Sequence, residues 1–161
     1  MRLALRFELL LAALLGALHS LPFVRTELWW VQMLVVAVLA WRAASATPAR
    51  AAGLGLAFGS AWLAAGTWWL YISLHQYGGL PAWLAVLAIG LLCGFLSLYL
   101  AAALAVFARW HGAGQSGARG ALMFAALWLL AELARGVIFT GFPWVASGYA
   151  HVDGPLAALA P

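Results

Sequence analysis

Glu132 and Arg135 lie inside an apolar run near the end of the chain, AALWLLAELARGVIF. A charged side chain is costly inside a membrane, so an ionisable residue there marks a functional site or pairs with a partner. The i, i+3 spacing puts the carboxylate and the guanidinium on one helix face, where they can form a salt bridge. Two interpretations are open: a structural ion pair, or a polar site that does chemistry or transport within a membrane.

Other reactive side chains are few and scattered. Cys93 is the single cysteine and lies in the middle of an apolar run, where a thiol does not ionise readily, so we interpret it as a small core residue. A lone cysteine excludes an internal disulfide and a multi-cysteine metal site. The four histidines lack the H-x-x-x-H type of ligand spacing, so the sequence predicts no metal site and no cofactor.

The composition excludes a soluble domain. Of 161 residues, 67% are hydrophobic and 7% are charged, whereas a soluble domain has about 25% charged residues. The formal net charge of +4 comes from arginines that stand singly between apolar runs, and not from a basic patch of the kind that binds nucleic acid. The sequence therefore predicts an integral membrane protein with no nucleic-acid partner.

Five apolar runs are candidates for membrane-spanning helices, which need about 20 residues to cross a hydrocarbon core of ~30 Å. They cover residues 7–23, 28–41, 51–74, 83–107 and 120–139. The sequence thus predicts an all-α fold, a polytopic transmembrane helical bundle that forms one domain over residues 1–161 and ends in a tail at 140–161. The second run is short and is the weakest of the five.

The first run also has features of a cleaved signal peptide, because MRLALR is positively charged and LLLAALLGAL is apolar. Against this interpretation, Glu8 interrupts the start of the run, no A-x-A cleavage site follows, and Pro22 and Phe23 continue the apolar stretch. We therefore expect a helix that is retained in the membrane.

The arginines in the predicted loops are distributed unequally between the two sides of the membrane. Arg25 alone lies on one side. Six lie on the other side: Arg2, Arg6, Arg42, Arg50, Arg109 and Arg119. Because arginine-rich loops stay in the cytoplasm, we expect the N-terminus inside, and five crossings then place the tail at 140–161 in the periplasm.

Small residues recur at helical spacing in three of the predicted spans. Helices in a membrane pack closely where small residues let the backbones approach. We expect contacts along three stripes: Ala12, Gly16 and Ser20; Gly55, Gly59 and Gly66; Gly90, Gly94, Ser97 and Ala101. Such stripes are typical of helix packing, and we assign them no catalytic or binding role.

Several segments of the chain resemble one family of bacterial membrane enzymes. The longest is E-L-A-R-G-x-x-F-T-G-F-P-W, which begins at Glu132, followed by G-Y-A-H-V-D-G-P-L-A-A-L-A-P, which begins at Gly148. WWLYISLHQYGGLP, from Trp68, and LSLYLA, from Leu96, are also similar to that family. From about Gly53 to the C-terminus, the sequence resembles the membrane domain of apolipoprotein N-acyltransferase.

That resemblance implies a multi-pass enzyme of the bacterial inner membrane with a periplasmic nitrilase-like domain. In that domain a cysteine thiolate attacks a phospholipid ester to give a thioester, a glutamate acts as base and a lysine stabilises the oxyanion. The acyl chain then passes to the α-amine of the diacylglyceryl-cysteine of an apolipoprotein. The implied partners are a phospholipid acyl donor, a diacylated apolipoprotein and membrane lipid.

The chain departs from the family's pattern in its catalytic part. It contains no lysine, its one cysteine is Cys93 within a predicted span, and it has no soluble hydrolase-like segment. We therefore expect the chain to be the opening membrane section of such an enzyme, to carry no catalytic residue and to be inactive alone.

The resemblance also gives a role to the aromatic segment after the fifth run. Pro143 disfavours helix at Phe142. We therefore expect Phe142 and Trp144 at headgroup depth, beside the outer end of the third helix. Below them, the Glu132–Arg135 pair would fix the end of the fifth helix. The residues that we expect at the lipid entry are Phe142, Pro143, Trp144, Tyr149, Gly78 and Gly79. A plain interfacial anchor is an equally open interpretation, because tryptophan favours that depth regardless of function.

Two other classes of function stay open. In a small transporter or channel subunit, Glu132 and Arg135 would line a polar path, although the chain lacks the paired broken helices expected of a transporter. In a non-catalytic scaffold, the chain would only bind partner helices. A downstream soluble domain with glutamate, lysine and cysteine would favour the enzyme over both.

Overall fold

A computed structural model of the chain describes residues 2–111, 117–155 and 157–159, which form helices and turns with no strand among them. The helices are α1 (Arg2–His19), α2 (Trp29–Ala44), α3 (Pro48–Gly66), the short α4 (Trp69–Tyr71), α5 (Ala82–Trp110) and α6 (Ala118–Val137). Short 3₁₀ turns follow α1 and α6, and a π-helical turn, Ile72–Tyr77, follows α4. The predicted all-α bundle is confirmed.

Four stretches of the described chain are long and apolar enough to cross a membrane: Leu5–Phe23, Thr26–Ala44, Ala82–Trp110 and Ala118–Thr140. These contain α2, α5 and α6 and most of α1. The chain is therefore a membrane protein, and the bundle is built mainly from helices that meet the length and hydropathy expected of spans.

Helix α3 is the predicted span that is missing from this set, since it is rich in glycine and alanine and begins with Pro48 and Arg50. Its position nevertheless matches that of α1. The Glu8 carboxylate accepts a hydrogen bond from Arg50 near the start of α3, and the His19 ring packs edge-on against Trp62, 4.5 Å away, near its end. The two helices therefore run parallel over the same depth, and α3, with 19 residues, is about 28 Å long.

The end of α3 differs from the sequence prediction, which extended this span through Leu74. The helix ends at Gly66, where Thr67 leaves helical geometry and its hydroxyl donates to the Leu63 carbonyl at 2.7 Å. Trp68 and Trp69 therefore begin a separate short segment and do not close α3. The break was missed because TWWLYISL stays apolar, and hydropathy does not report the direction of the backbone.

Small residues allow the closest helix contacts, as expected for two of the three stripes. A Cβ added at Gly16 of α1 would clash with the backbone of Phe58 in α3, and one added at Gly55 would lie 2.9 Å from the Ala101 Cα of α5. The third stripe was only partly correct. A Cβ at Gly90 or Gly94 would meet no heavy atom within 4 Å, so neither glycine is needed for a close helix contact.

A second group of charges lies within the bundle, apart from the Glu132–Arg135 pair that the sequence predicted. Glu8 of α1 forms ion pairs with Arg42 of α2 and Arg50 of α3. This triad ties three helices together at one end of the bundle. The pairing was not predicted because the partners are far apart in the chain.

Candidate functional site

The tail segment, which we define as residues 138–155, begins with an unusual backbone. Among the described residues, three non-glycine residues have positive φ, and all three lie here: Phe139, Thr140 and Val145. Gly141 has φ of 80°, and a side chain at this position would clash with the Gly136 carbonyl. Non-glycine residues in such conformations cost of order 1–3 kcal/mol each, so neighbouring contacts must hold the segment in place.

Arg135 supplies these contacts from the last turns of α6. Its side chain is 4% exposed, and its Nη1 donates hydrogen bonds to the carbonyl oxygens of Phe142 and Trp144, both at 2.8 Å. The Phe142 N–H donates in turn to the Arg135 carbonyl at 2.8 Å. The guanidinium carbon also lies 5.4 Å from the centre of the Trp62 ring, within the range of a cation–π contact. One buried cation therefore fixes two carbonyls of the tail segment.

Glu132 fixes the following part of the tail segment. One carboxylate oxygen lies 3.6 Å from Arg135 Nη2, and it accepts hydrogen bonds from the N–H and the hydroxyl of Ser147, at 2.9 and 3.0 Å. The Ser147 hydroxyl in turn accepts from Trp128 Nε1 at 3.3 Å and lies 3.4 Å from His19 Nε2. The predicted pair is thus present, and both of its members also bind the tail segment.

The tail segment then folds inward onto α1 and α2. His151 Nε2 donates a hydrogen bond to the side-chain Oε1 of Gln32 at 2.8 Å, and the Thr26 hydroxyl donates to the Asp153 carboxylate. Ala150 is fully buried. The sequence predicted a periplasmic tail from residue 140, but the middle of the segment packs against the helical bundle.

The aromatic residues predicted at a lipid entry lie at the outer face of this segment. Trp144 is 56% exposed, and its ring packs edge-on against Trp69, with centroids 5.6 Å apart. Phe142 is half-buried and packs against the cluster formed by Leu63, Cys93 and Leu96. Phe142 and Trp144 therefore lie outside α6 and near the C-terminal end of α3, as predicted, although α6 already ends at Val137, before the residue that Pro143 restricts.

The other residues assigned to this entry are arranged differently. Pro143 and Tyr149 are exposed. Gly78 lies close to the carbonyl oxygens of Ser73 and Leu74 in its own turn, and a side chain at Gly79 would meet no heavy atom within 4 Å. Neither glycine therefore packs against the tail segment through its side-chain position, and their assignment to a lipid entry stays a prediction.

Cys93 has the environment of a packing residue. It is 2% exposed and lies in an apolar cluster with Leu63 and Leu96. A thiol enclosed by apolar side chains is not activated as a nucleophile. The interpretation of Cys93 as a small core residue is therefore confirmed by its position.

Sequence reasoning missed the polar residues that receive the tail segment. Gln32 is 2% exposed and His19 is fully buried, and both contact groups of this segment. Gln32 stands alone among apolar residues in α2. A polar side chain in that setting is expected to face the interior of a bundle, and this signal could have identified it.

Known proteins resemble the chain over nearly its whole length. An apolipoprotein N-acyltransferase from Ralstonia nicotianae (strain ATCC BAA-1114 / GMI1000) is 48% identical over 159 residues, which cover 98% of the chain and 30% of that protein. One from Verminephrobacter eiseniae (strain EF01-2) is 50% identical over 144 residues, covering 86% and 26%. A third, from Pseudomonas putida, is 40% identical over 152 residues, covering 94% and 30%.

The chain spans about 30% of the length of these curated relatives. A family model described as the apolipoprotein N-acyltransferase N-terminal domain matches residues 15–161. That match includes all the helices from α2 onward and the whole tail segment. The chain therefore belongs to the apolipoprotein N-acyltransferase N-terminal domain family.

Proposed function

We propose that the chain is the membrane-embedded N-terminal part of an enzyme that transfers an acyl chain from a phospholipid to the N-terminal diacylglyceryl-cysteine of lipoproteins. Family membership supports this proposal, because the relatives are named apolipoprotein N-acyltransferase. The enzyme lies in the bacterial inner membrane. Its catalytic residues come from a part of the enzyme outside this chain, so the role of the chain is to hold lipid substrates in place.

The aromatic face of the tail segment is the part of the chain that best fits this role. Arg135 fixes the backbone at Phe142 and Trp144, while the Trp144 ring stays exposed against Trp69. An apolar wall on a fixed backbone can guide an acyl chain with little ordering cost, since the wall is already formed before the lipid arrives. We propose that Phe142, Pro143, Trp144 and Tyr149 line the lipid entry, with Gly78 and Gly79 in the neighbouring turn.

Transport through this part of the chain has less support. Glu132 and Arg135 would have to face a polar path, but each is bonded to the tail segment, and the side chain of Arg135 is 4% exposed. The pair therefore fits a positioning role better than a role in ion or solute movement.

Trp144→Ala in the full natural polypeptide should lower acyl transfer by about tenfold, equivalent to about 1.4 kcal/mol of lost stabilisation. Arg135 binds the carbonyl oxygen of residue 144, which alanine retains, so this change removes the aromatic wall and leaves the backbone in place. Transfer is measured from a phospholipid donor to a diacylated lipopeptide. The 161-residue chain alone serves as the blank, because it has no lysine and its cysteine is buried.

Trp110→Ala is the matched control, since Trp110 is also an exposed tryptophan but lies at the opposite end of the bundle. This variant should retain full activity, and both variants should insert at the wild-type level. If Trp144→Ala turns over at the wild-type rate, the segment is an interfacial anchor only. Product formed by the 161-residue chain alone would contradict the placement of the catalytic residues outside it.

We also propose that the N-terminus is cytoplasmic and that the tail segment faces the periplasm. The helices bring five arginines to one end of the bundle: Arg6, Arg42, Arg50, Arg109 and Arg119. Arginine-rich ends stay in the cytoplasm.

Reporter fusions after Arg50, Gly79, Gly114 and Pro161 should therefore report cytoplasm, periplasm, cytoplasm and periplasm in that order. Gly114 and Pro161 lie outside the described residues. The helices before and after Gly114, α5 and α6, are neighbours and run antiparallel, so Gly114 links them on one side of the membrane. A cytoplasmic signal at Pro161 would be incompatible with five crossings.

A further inference from the structure

A large cleft separates α2 from α6, with the end of α5 at its base. Its volume is about 880 Å³. Its lining runs on α2 from Gln32 to Ala44, which is nearly the whole helix, and on α6 from the first turn to Trp128. His151 of the tail segment lines one end, and His111, just after α5, lines the other. The cleft therefore extends from the tail segment to the arginine-bearing end of the bundle.

The α6 wall of the cleft exposes small residues. Gly120, Ala121 and Ala125 line it, and both alanines are exposed. The large apolar side chains that α6 exposes all lie outside the cleft: Leu122, Leu129, Leu130, Leu133 and Val137. Lipid covers side chains of any size, whereas a neighbouring helix approaches closely where the side chains are small. This division of the surface favours lipid on the leucine face and a helix in the cleft.

The α2 wall also contains a run of small residues. Ala37, Ala40 and Ala44 line the cleft at i, i+3 and i+7, which is the spacing of one helix face. Met33 continues this face one turn earlier, and Trp41 stands at its edge. Other large residues that α2 exposes lie outside the cleft: Trp30, Leu34 and Val38. Both walls therefore let a helix backbone approach along the cleft.

The tail segment brings the chain to the end of the cleft at the start of α2. His151 lines the cleft and bonds to Gln32. The Thr26 hydroxyl donates to the Asp153 carboxylate, and a Cβ added at Gly154 would lie 3.1 Å from the ring of Trp29. Residues 151–154 are therefore held beside the first turn of α2, which forms one wall of the cleft.

In the relatives, most of the polypeptide lies beyond the part that this chain matches. The chain spans about 30% of two of them, and the matching family model is described as an N-terminal domain. The rest of such a polypeptide therefore follows the tail segment. Consecutive elements are usually neighbours in space, and short connections join antiparallel helices. A helix that follows the tail segment closely starts beside α2, at the end of the cleft, and runs antiparallel to α6.

We propose that the cleft is the docking site for the first transmembrane helix after the tail segment in the full natural polypeptide. The helix starts beside His151, runs between α2 and α6 with its backbone close to Ala40 and Ala121, and ends near His111. None of the residues proposed for the lipid entry lines the cleft. Docking of this helix does not depend on acyl transfer, so either proposal can fail without the other.

The test places a photoreactive analogue of leucine, with a diazirine in its side chain, at Ala37 or Ala121 of the full natural polypeptide in liposomes. The carbene that forms on irradiation reacts only with groups in contact with it. Both positions should cross-link to the first apolar run that follows residue 161, and mass spectrometry of the digested monomer identifies the peptide. Because the two positions lie on opposite walls, cross-links to the same run place it between α2 and α6.

Ala126 is exposed on α6 but does not line the cleft, so the analogue at this position is the matched control and should react with phospholipid. Adducts with phospholipid alone at Ala37 and Ala121 would overturn the proposal, because the cleft would then face the bilayer. Cross-linked dimers would overturn it in favour of a second copy of the protein. Cross-links to a later part of the same polypeptide would also overturn it, since another segment would then fill the cleft.

Ala125→Phe gives a second readout, since it places a ring on the α6 wall. It should reduce the yield of the cross-link from Ala37 to the level seen from Ala126. Ala126→Phe should leave that yield unchanged, because the ring then lies outside the cleft. An unchanged yield in Ala125→Phe would contradict the docked position of the helix, and so would an equal loss of yield in both variants.

Discussion

Arg135→Met should release the start of the tail segment and lower the free energy of unfolding by about 3–5 kcal/mol, the range found when one partner of a buried ion pair is removed. The change leaves the carbonyl oxygens of Phe142 and Trp144 without their donor and leaves the carboxylate of Glu132 without its cation. The positive-φ residues Phe139 and Val145 then lose the contacts that hold them. We therefore expect a lower melting temperature and faster proteolysis within the tail segment.

Arg119→Met is the control for this experiment, because Arg119 lies on the same helix but is exposed. It should change neither measurement.

Glu132→Gln keeps groups that can accept from Ser147 but leaves Arg135 without a counter-charge, so it should also destabilise the protein. Combining Glu132→Gln with Arg135→Met should cost less than the sum of the two single changes, since no buried charge stays unpaired. If Arg135→Met is cleaved in the tail segment at the same rate as the wild type, the segment is held by other contacts.

The five long helices and their order, but not the short α4, could be predicted from sequence because each long apolar run must satisfy its backbone hydrogen bonds internally in a membrane. Phe142 does lie outside α6, as expected, but that helix already ends at Val137, so the local effect of Pro143 does not account for its end. Reasoning from hydropathy failed at Gly66, where α3 ends inside an apolar sequence. A chain that turns within a bundle and a chain that continues straight can have the same hydropathy.

The polar contacts were harder to predict because they join residues that are distant in sequence. Glu132 and Arg135 were identified by their spacing, but their bonds to Ser147 and to the carbonyls of the tail segment depend on how that segment folds back. The pairing of Glu8 with Arg42 is a similar case. The sequence shows that a charged residue in an apolar run needs a partner, but it does not identify which distant residue is that partner.

Gly16→Ala should destabilise the bundle by about 1–3 kcal/mol, the usual cost of overpacking, or by more, because the obstructing atoms belong to the backbone. The new Cβ would lie 2.8 Å from the carbonyl carbon of Phe58 and 2.9 Å from its Cα, and neither atom can move without shifting α3. Separation of α1 from α3 would also weaken the contact between His19 and Trp62.

The same substitution at Gly90 is the control, since a Cβ there meets no heavy atom within 4 Å. Alanine is favoured over glycine in a helix interior by up to about 1 kcal/mol, so Gly90→Ala should be neutral or stabilising. Thermal unfolding of the two variants in the same detergent measures the difference. Equal melting temperatures would show that α1 and α3 are not in close contact at Gly16. The conclusion that α3 packs parallel to α1 at the depth of a membrane span would then lose its main support.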